Sequence, residues 1–75
     1  MITLKGKIIR KILNVKSKSE HNGFIIQTNN GDFIINKEGD NPFENETLCL
    51  FDGYNVSADG DMYNGKFIAN NIEKE

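Results

Sequence analysis

The stretch F-I-I-Q-T-N-N-G-D-F-I-I, residues 24–35, decides the fold. Two short runs rich in β-branched and aromatic residues flank a cluster of Asn, Gly and Asp, the pattern of a β-hairpin. With Asn30-Gly31 as a type I′ loop, Asn29 is expected opposite Asp32, Thr28 opposite Phe33 and Ile26 opposite Ile35. Alternation then puts Phe24, Ile26, Thr28, Phe33 and Ile35 on one face, the presumed core side. Ile25, Gln27, Asn29, Asp32, Ile34 and Asn36 take the other.

Toward the N-terminus, I-T-L-K-G-K-I-I-R-K-I-L-N-V reads as one long strand. Ile2, Leu4, Ile8 and Ile12 share a face; Lys5, Lys7, Ile9 and Lys11 share the opposite one. Gly6 falls on the apolar face, where a missing side chain marks a bulge or sharp bend. A polar connection follows, from Lys16 to Gly23, and holds the one histidine, His21.

Toward the C-terminus, residues 40–53 form the helix candidate. Asn41 is placed to cap, Pro42 fits the first helical position, and Glu44 completes a capping-box spacing. Phe43, Thr47, Leu50 and Phe51 recur at helical intervals, and Gly53 would end the helix. The piece Thr47–Phe51 reads equally as a short strand. Beyond it lies a second hairpin around Asn64-Gly65, with Met62 opposite Phe67 and Tyr63 opposite Lys66. Val56, Ala58, Met62, Phe67 and Ala69 should share its core face. Asn71 to Glu75 reads as a polar tail held by Ile72.

A glycine-bearing first strand, a hairpin, a short helix and a second hairpin occur in that order. The motifs "LKGKI", "FIIQTNNGDFII" and "DGYNVSADG…GKFIANNI" carry a resemblance to the oligonucleotide/oligosaccharide-binding (OB) fold over nearly the whole chain, Ile2 to Ile72. The resemblance implies a mainly all-β domain: a five-stranded Greek-key barrel with one short helix between strands three and four. An SH3-like barrel is the structural alternative.

Seventy-five residues allow one domain, spanning 1–75, with one small core. A single cysteine, Cys49, rules out an internal disulfide framework and points to a reducing, cytoplasmic setting. No signal peptide or membrane-spanning run is visible, so no membrane partner is expected.

Net charge is −2, yet residues 1–18 carry +6 with no acid and the rest carries −8. That asymmetry predicts a positive face on an acidic body. Lysines on strands also keep β-domains soluble, which is the plainer reading.

OB-type domains often bind single strands through stacked aromatics and a basic track. The expected outer face of the first hairpin carries neither aromatic nor base. The track is present beside it: Lys5, Lys7 and Lys11 point outward on the first strand, and Lys16 and Lys18 continue it into the loop. These five residues are the candidate contacts for single-stranded nucleic acid or another polyanion. The competing expectation is a protein-interaction or inhibitor module, homodimeric or bound to another protein. It would use an exposed apolar strip of Ile9, Ile25 and Ile34 with Gln27, an apolar centre inside a polar rim. A small-molecule binder is a third option that the residues neither favour nor exclude.

Catalytic and metal chemistry find little footing. Counting an EF-hand from Asp59 places Tyr63, Asn64 and Asn70 where an oxygen ligand, glycine and an acid belong. His21 and Cys49 each lack companions at zinc spacing, so no metal or other cofactor is expected. Cys49 reads as a small buried hydrophobe rather than a nucleophile. Glu44 and Glu46, two apart on a helix, would point in different directions. An enzyme is the class least supported.

Overall fold

The computed structural model describes residues 1–13, 21–40 and 46–75. The five strands are β1 (Ile2–Leu13), β2 (His21–Thr28), β3 (Gly31–Lys37), β4 (Asn55–Tyr63) and β5 (Lys66–Lys74). One four-residue helix, α1 (Glu46–Cys49), lies between β3 and β4. The strands close into a barrel in the order β1-β2-β3-β5-β4, with β4 returning to β1. All pairings are antiparallel except β3 with β5, where Ile34–Lys37 run alongside Lys66–Ala69. The mainly-β architecture, the closure and the position of the helix are those the sequence predicts.

Closure depends on β1 serving two neighbours. Its first half pairs with β4 (Ile2 opposite Gly60 through Lys7 opposite Asn55), its second half with β2 (Lys7 opposite Gln27 through Leu13 opposite His21). Gly6 sits at the changeover. A Cβ there would overlap the backbone carbonyl of Gln27, so only glycine lets β1 bend this close to the end of β2. Gly60 plays the same part on β4. Its missing Cβ leaves room for the backbone at Ile68 and Ala69, beside a bulge in which β5 inserts the extra residue Asn70.

Ile8, Phe24, Ile26, Ile35, Leu48, Val56, Ala58, Phe67 and Ala69 form the buried core, with Leu4, Phe33, Phe51 and Ile72 packed around it. The expected alternation therefore holds along the middle of the strands, but Ile2 and Met62, expected on the core faces, lie at strand ends beyond the core and stay 42% and 40% exposed. Both hairpin phenylalanines turn inward. Fully burying a side chain of this size contributes roughly 1.5–3 kcal/mol. The core residue that the helical spacing misses is Leu48.

Four expectations need correction. The first hairpin turns at Asn29-Asn30, with Phe24 opposite Ile35 and Ile26 opposite Phe33, two positions from the register expected. Helix α1 is a single turn that directs Leu48 inward and leaves Leu50 70% exposed. With Leu48 inside, the adjacent Cys49 is exposed rather than buried. Residues 71–74 are not a tail but the end of β5, paired to β4 through Ile72 opposite Ala58 and Lys74 opposite Val56. The proposed capping residues Asn41, Pro42 and Glu44 lie outside the described residues. Within them, the Asp40 carboxylate accepts the Thr47 N–H at 2.8 Å and satisfies a donor in the first turn.

Candidate functional site

Period two along β1 fixes the candidate basic face. Ile8 points into the core, so Lys5, Lys7, Ile9 and Lys11 face outward, and all three lysines are exposed. Their cross-strand neighbours are uncharged: Ser57 beside Lys5, Gln27 and Asn55 on the two sides of Lys7, and Gly23 beside Lys11. The ion pairs found among the described residues involve other groups, Met1 with Asp61 and Arg10 with Asp52. Lys16 and Lys18 lie outside the described residues.

Arg10 belongs to a different environment. It pairs across to Phe24 on the inner side of the strand, and its guanidinium lies over that ring, 5.6 Å from the centroid. It also donates to the Cys49 Sγ at 3.6 Å and sits 3.9 Å from the Asp52 carboxylate. These contacts tie β1 to the region of α1, so this cation does not extend the outward row.

The isoleucines of the alternative site do meet. Ile9 stands opposite Ile25, and Ile25 opposite Ile34, which makes one row across three strands. The row is less open than expected: Ile25 is only 7% exposed, while Ile9 and Ile34 are half-buried. Ile25 has a paired isoleucine on each side, and those neighbours shield the middle of the row. Gln27, next along β2, is exposed between Lys7 and Asp32.

Among the described residues, aromatic side chains are missing from this outer face, as the alternation predicts, and the two exposed ones lie elsewhere. Tyr63 flanks the β4–β5 turn and lines a cleft of about 390 Å³ with Glu38, Asp61, Met62, Ile68 and Asn70. Tyr54 sits just before β4, beside β1. Its carbonyl accepts the Ile8 N–H at 3.1 Å, and the preceding Gly53 N–H donates to the Ile8 carbonyl at 2.7 Å. The Lys74 ammonium lies over the Tyr54 ring, 4.1 Å from its centroid. Sequence reasoning passed over Tyr54 because it belongs to no strand, and its setting depends on Gly53 at φ 84°.

Among the described residues, no group of three or more His, Cys, Asp or Glu side chains is placed to hold a metal ion. No helix among them is long and apolar enough to cross a membrane. Comparisons with protein-family models, curated proteins and solved structures found no match to the chain.

Proposed function

We propose that this chain is a non-catalytic binding module built on an OB-type barrel. Its ligand in this reading is single-stranded nucleic acid or another polyanion. The barrel order, the parallel β3–β5 pair and the helix between β3 and β4 support the OB assignment over an SH3-like one. One observation carries the ligand reading: Lys5, Lys7 and Lys11 stand exposed in a row along β1 with uncharged neighbours across each strand. A row of this kind attracts a phosphate backbone, the flanking acids Asp32 (beyond Gln27) and Glu73 (beyond Ser57) standing one strand further away, and Lys16 and Lys18 would lengthen it. The lone cysteine fits a cytoplasmic setting.

The test is a salt titration with a labelled single-stranded oligonucleotide. Three phosphate contacts give a slope of about −2 in log affinity against log salt, at about −0.7 per contact. The double change Lys5→Glu/Lys7→Glu should abolish binding at low salt. Binding indifferent to that change removes the reading.

The isoleucine row favours a second reading, a protein-contact surface centred on Ile9, Ile25 and Ile34 and flanked by Gln27. If it operates, Ile9→Asp/Ile34→Asp should dissolve a homodimer or release a bound protein. An unchanged sedimentation profile and unchanged partners would mark the row as ordinary barrel surface.

A further inference from the structure

We propose that two copies of this chain pair edge to edge along the start of β1, antiparallel and about a two-fold axis at Thr3. The open edge follows from the register. β1 meets β2 only from Lys7 onward, and a Cβ on Gly6 would stand 3.2 Å from the Thr28 nitrogen. Residues 2–5 lie beyond that contact. They have β4 on one side and, among the described residues, no strand on the other.

The phase of the ladder decides which groups this edge presents. Ile8 turns its N–H and its carbonyl toward Tyr54 and Gly53, on the β4 side. Backbone direction alternates along a strand, so Leu4 and Ile2 also bond toward β4. Thr3 and Lys5 then aim their N–H and carbonyl groups at the empty side, and both residues are exposed. Unpaired groups in this arrangement are a template for another strand.

The edge complements itself, and that selects a second copy as the occupant. With Thr3 on the axis, the two Thr3 residues exchange a pair of N–H···O=C bonds. Each Lys5 N–H reaches the Met1 carbonyl of the second copy. On the outer face the two Thr3 side chains become cross-strand neighbours, each already donating to its own Asp59 at 2.6 Å. Lys5 comes beside Met1 of the second copy and, one strand further, Asp61, whose carboxylate is 3.4 Å from the Met1 nitrogen. Each copy thus brings a cation toward an acid of the other. On the inner face Ile2, 42% exposed at the barrel mouth, meets half-buried Leu4. An axis at Leu4 is ruled out, because it would set Ile2 of the second copy beside Gly6, where Thr28 already lies.

This edge is separate from the isoleucine row, which starts at Ile9 in the half of β1 that β2 flanks. Only Met1–Lys5 of each copy takes part, which places the contact among small, transient interfaces, below about 1,200 Å².

The test is sedimentation velocity from micromolar to millimolar concentration, joined to amide hydrogen exchange. The wild-type chain should pass from monomer to dimer. Its Thr3 and Lys5 amides should exchange about 10-fold or more slowly in the concentrated sample. The Leu4 amide, which faces Ala58 on β4, should be protected at both concentrations. Thr3→Pro removes only an outward N–H and should stay monomeric throughout, with wild-type circular dichroism. Thr3→Lys sets like charges opposite each other on the axis and should do the same without altering the backbone. A wild-type chain that remains monomeric, with Thr3 and Lys5 amides fast at every concentration, overturns the inference. So does a dimer that survives both Thr3 variants, and its loss in Ile9→Asp/Ile34→Asp would assign the contact to the isoleucine row instead.

Discussion

In the β4–β5 hairpin, Asn64 and Gly65 take φ values of 51° and 78°, the two positive angles that a type I′ loop requires. Met62 then meets Phe67 and Tyr63 meets Lys66. The β2–β3 hairpin also contains Asn-Gly, yet there the turn falls one residue earlier, on Asn29-Asn30, and only Gly31 has positive φ, at 115°. Thr28 accounts for the difference. Its hydroxyl donates to the Gly31 carbonyl at 2.7 Å and accepts the Asn30 N–H at 3.1 Å, closing the turn around itself. An Asn-Gly pair sets a loop only when no neighbouring hydroxyl offers the backbone a competing turn.

The largest effects should come from the residue with which each hairpin anchors the shared core. Phe24→Ala and Phe67→Ala each remove a fully buried ring and should cost about 3–5 kcal/mol. Urea midpoints would compare them. Similar losses mean the hairpins stand or fall as one core, and a large inequality means one persists without the other.

Next come the crossing glycines. Gly6→Ala and Gly60→Ala press a methyl into opposing backbone and should each cost about 1–3 kcal/mol. Either variant matching wild type in its thermal midpoint would show that its strand relaxes away from the neighbour.

Smaller, and sharper as a contrast, is the turn pair. Alanine at φ 78° remains near the left-handed well, whereas φ 115° lies outside it. Gly65→Ala should therefore cost about 1–2 kcal/mol and Gly31→Ala more. The reverse order in denaturation would contradict the assigned turns. Smallest is Thr28→Val, at about 1 kcal/mol for two exposed hydrogen bonds. Its informative readout is NMR: cross-strand contacts should move toward Thr28-position pairing with Phe33 once the hydroxyl is gone.

These hairpins show what a sequence of this kind discloses. Side-chain alternation sorts core from surface, and it did so for Ile8, Phe24, Ile35, Val56 and Phe67. It is blind to a slip of two, because such a slip keeps every face, so the first hairpin's register differs from the expected one while its faces do not; nor does alternation show that Ile25, on the outer face, is covered by the isoleucines on either side. Helix α1 was harder. Four residues are too few for a period to emerge, and the tertiary demand for one plug selected Leu48 rather than Leu50. At the candidate site, the outward row Lys5, Lys7 and Lys11 was legible from alternation alone. The setting of Tyr54, on the other side of the sheet from that row, was not, since its place beside Ile8 follows from a positive-φ glycine and a contact some 45 residues away in sequence.

The divided loyalty of β1 also has a consequence during synthesis. The half that meets β2 finds its partner early, within a span of residues 7–27. The half that meets β4 must wait for residues 55–60, so Ile2 and Leu4 leave the ribosome with an unsatisfied strand edge. For most of translation the nascent chain is thus an incomplete sheet, and its vulnerable interval ends only when β4 emerges.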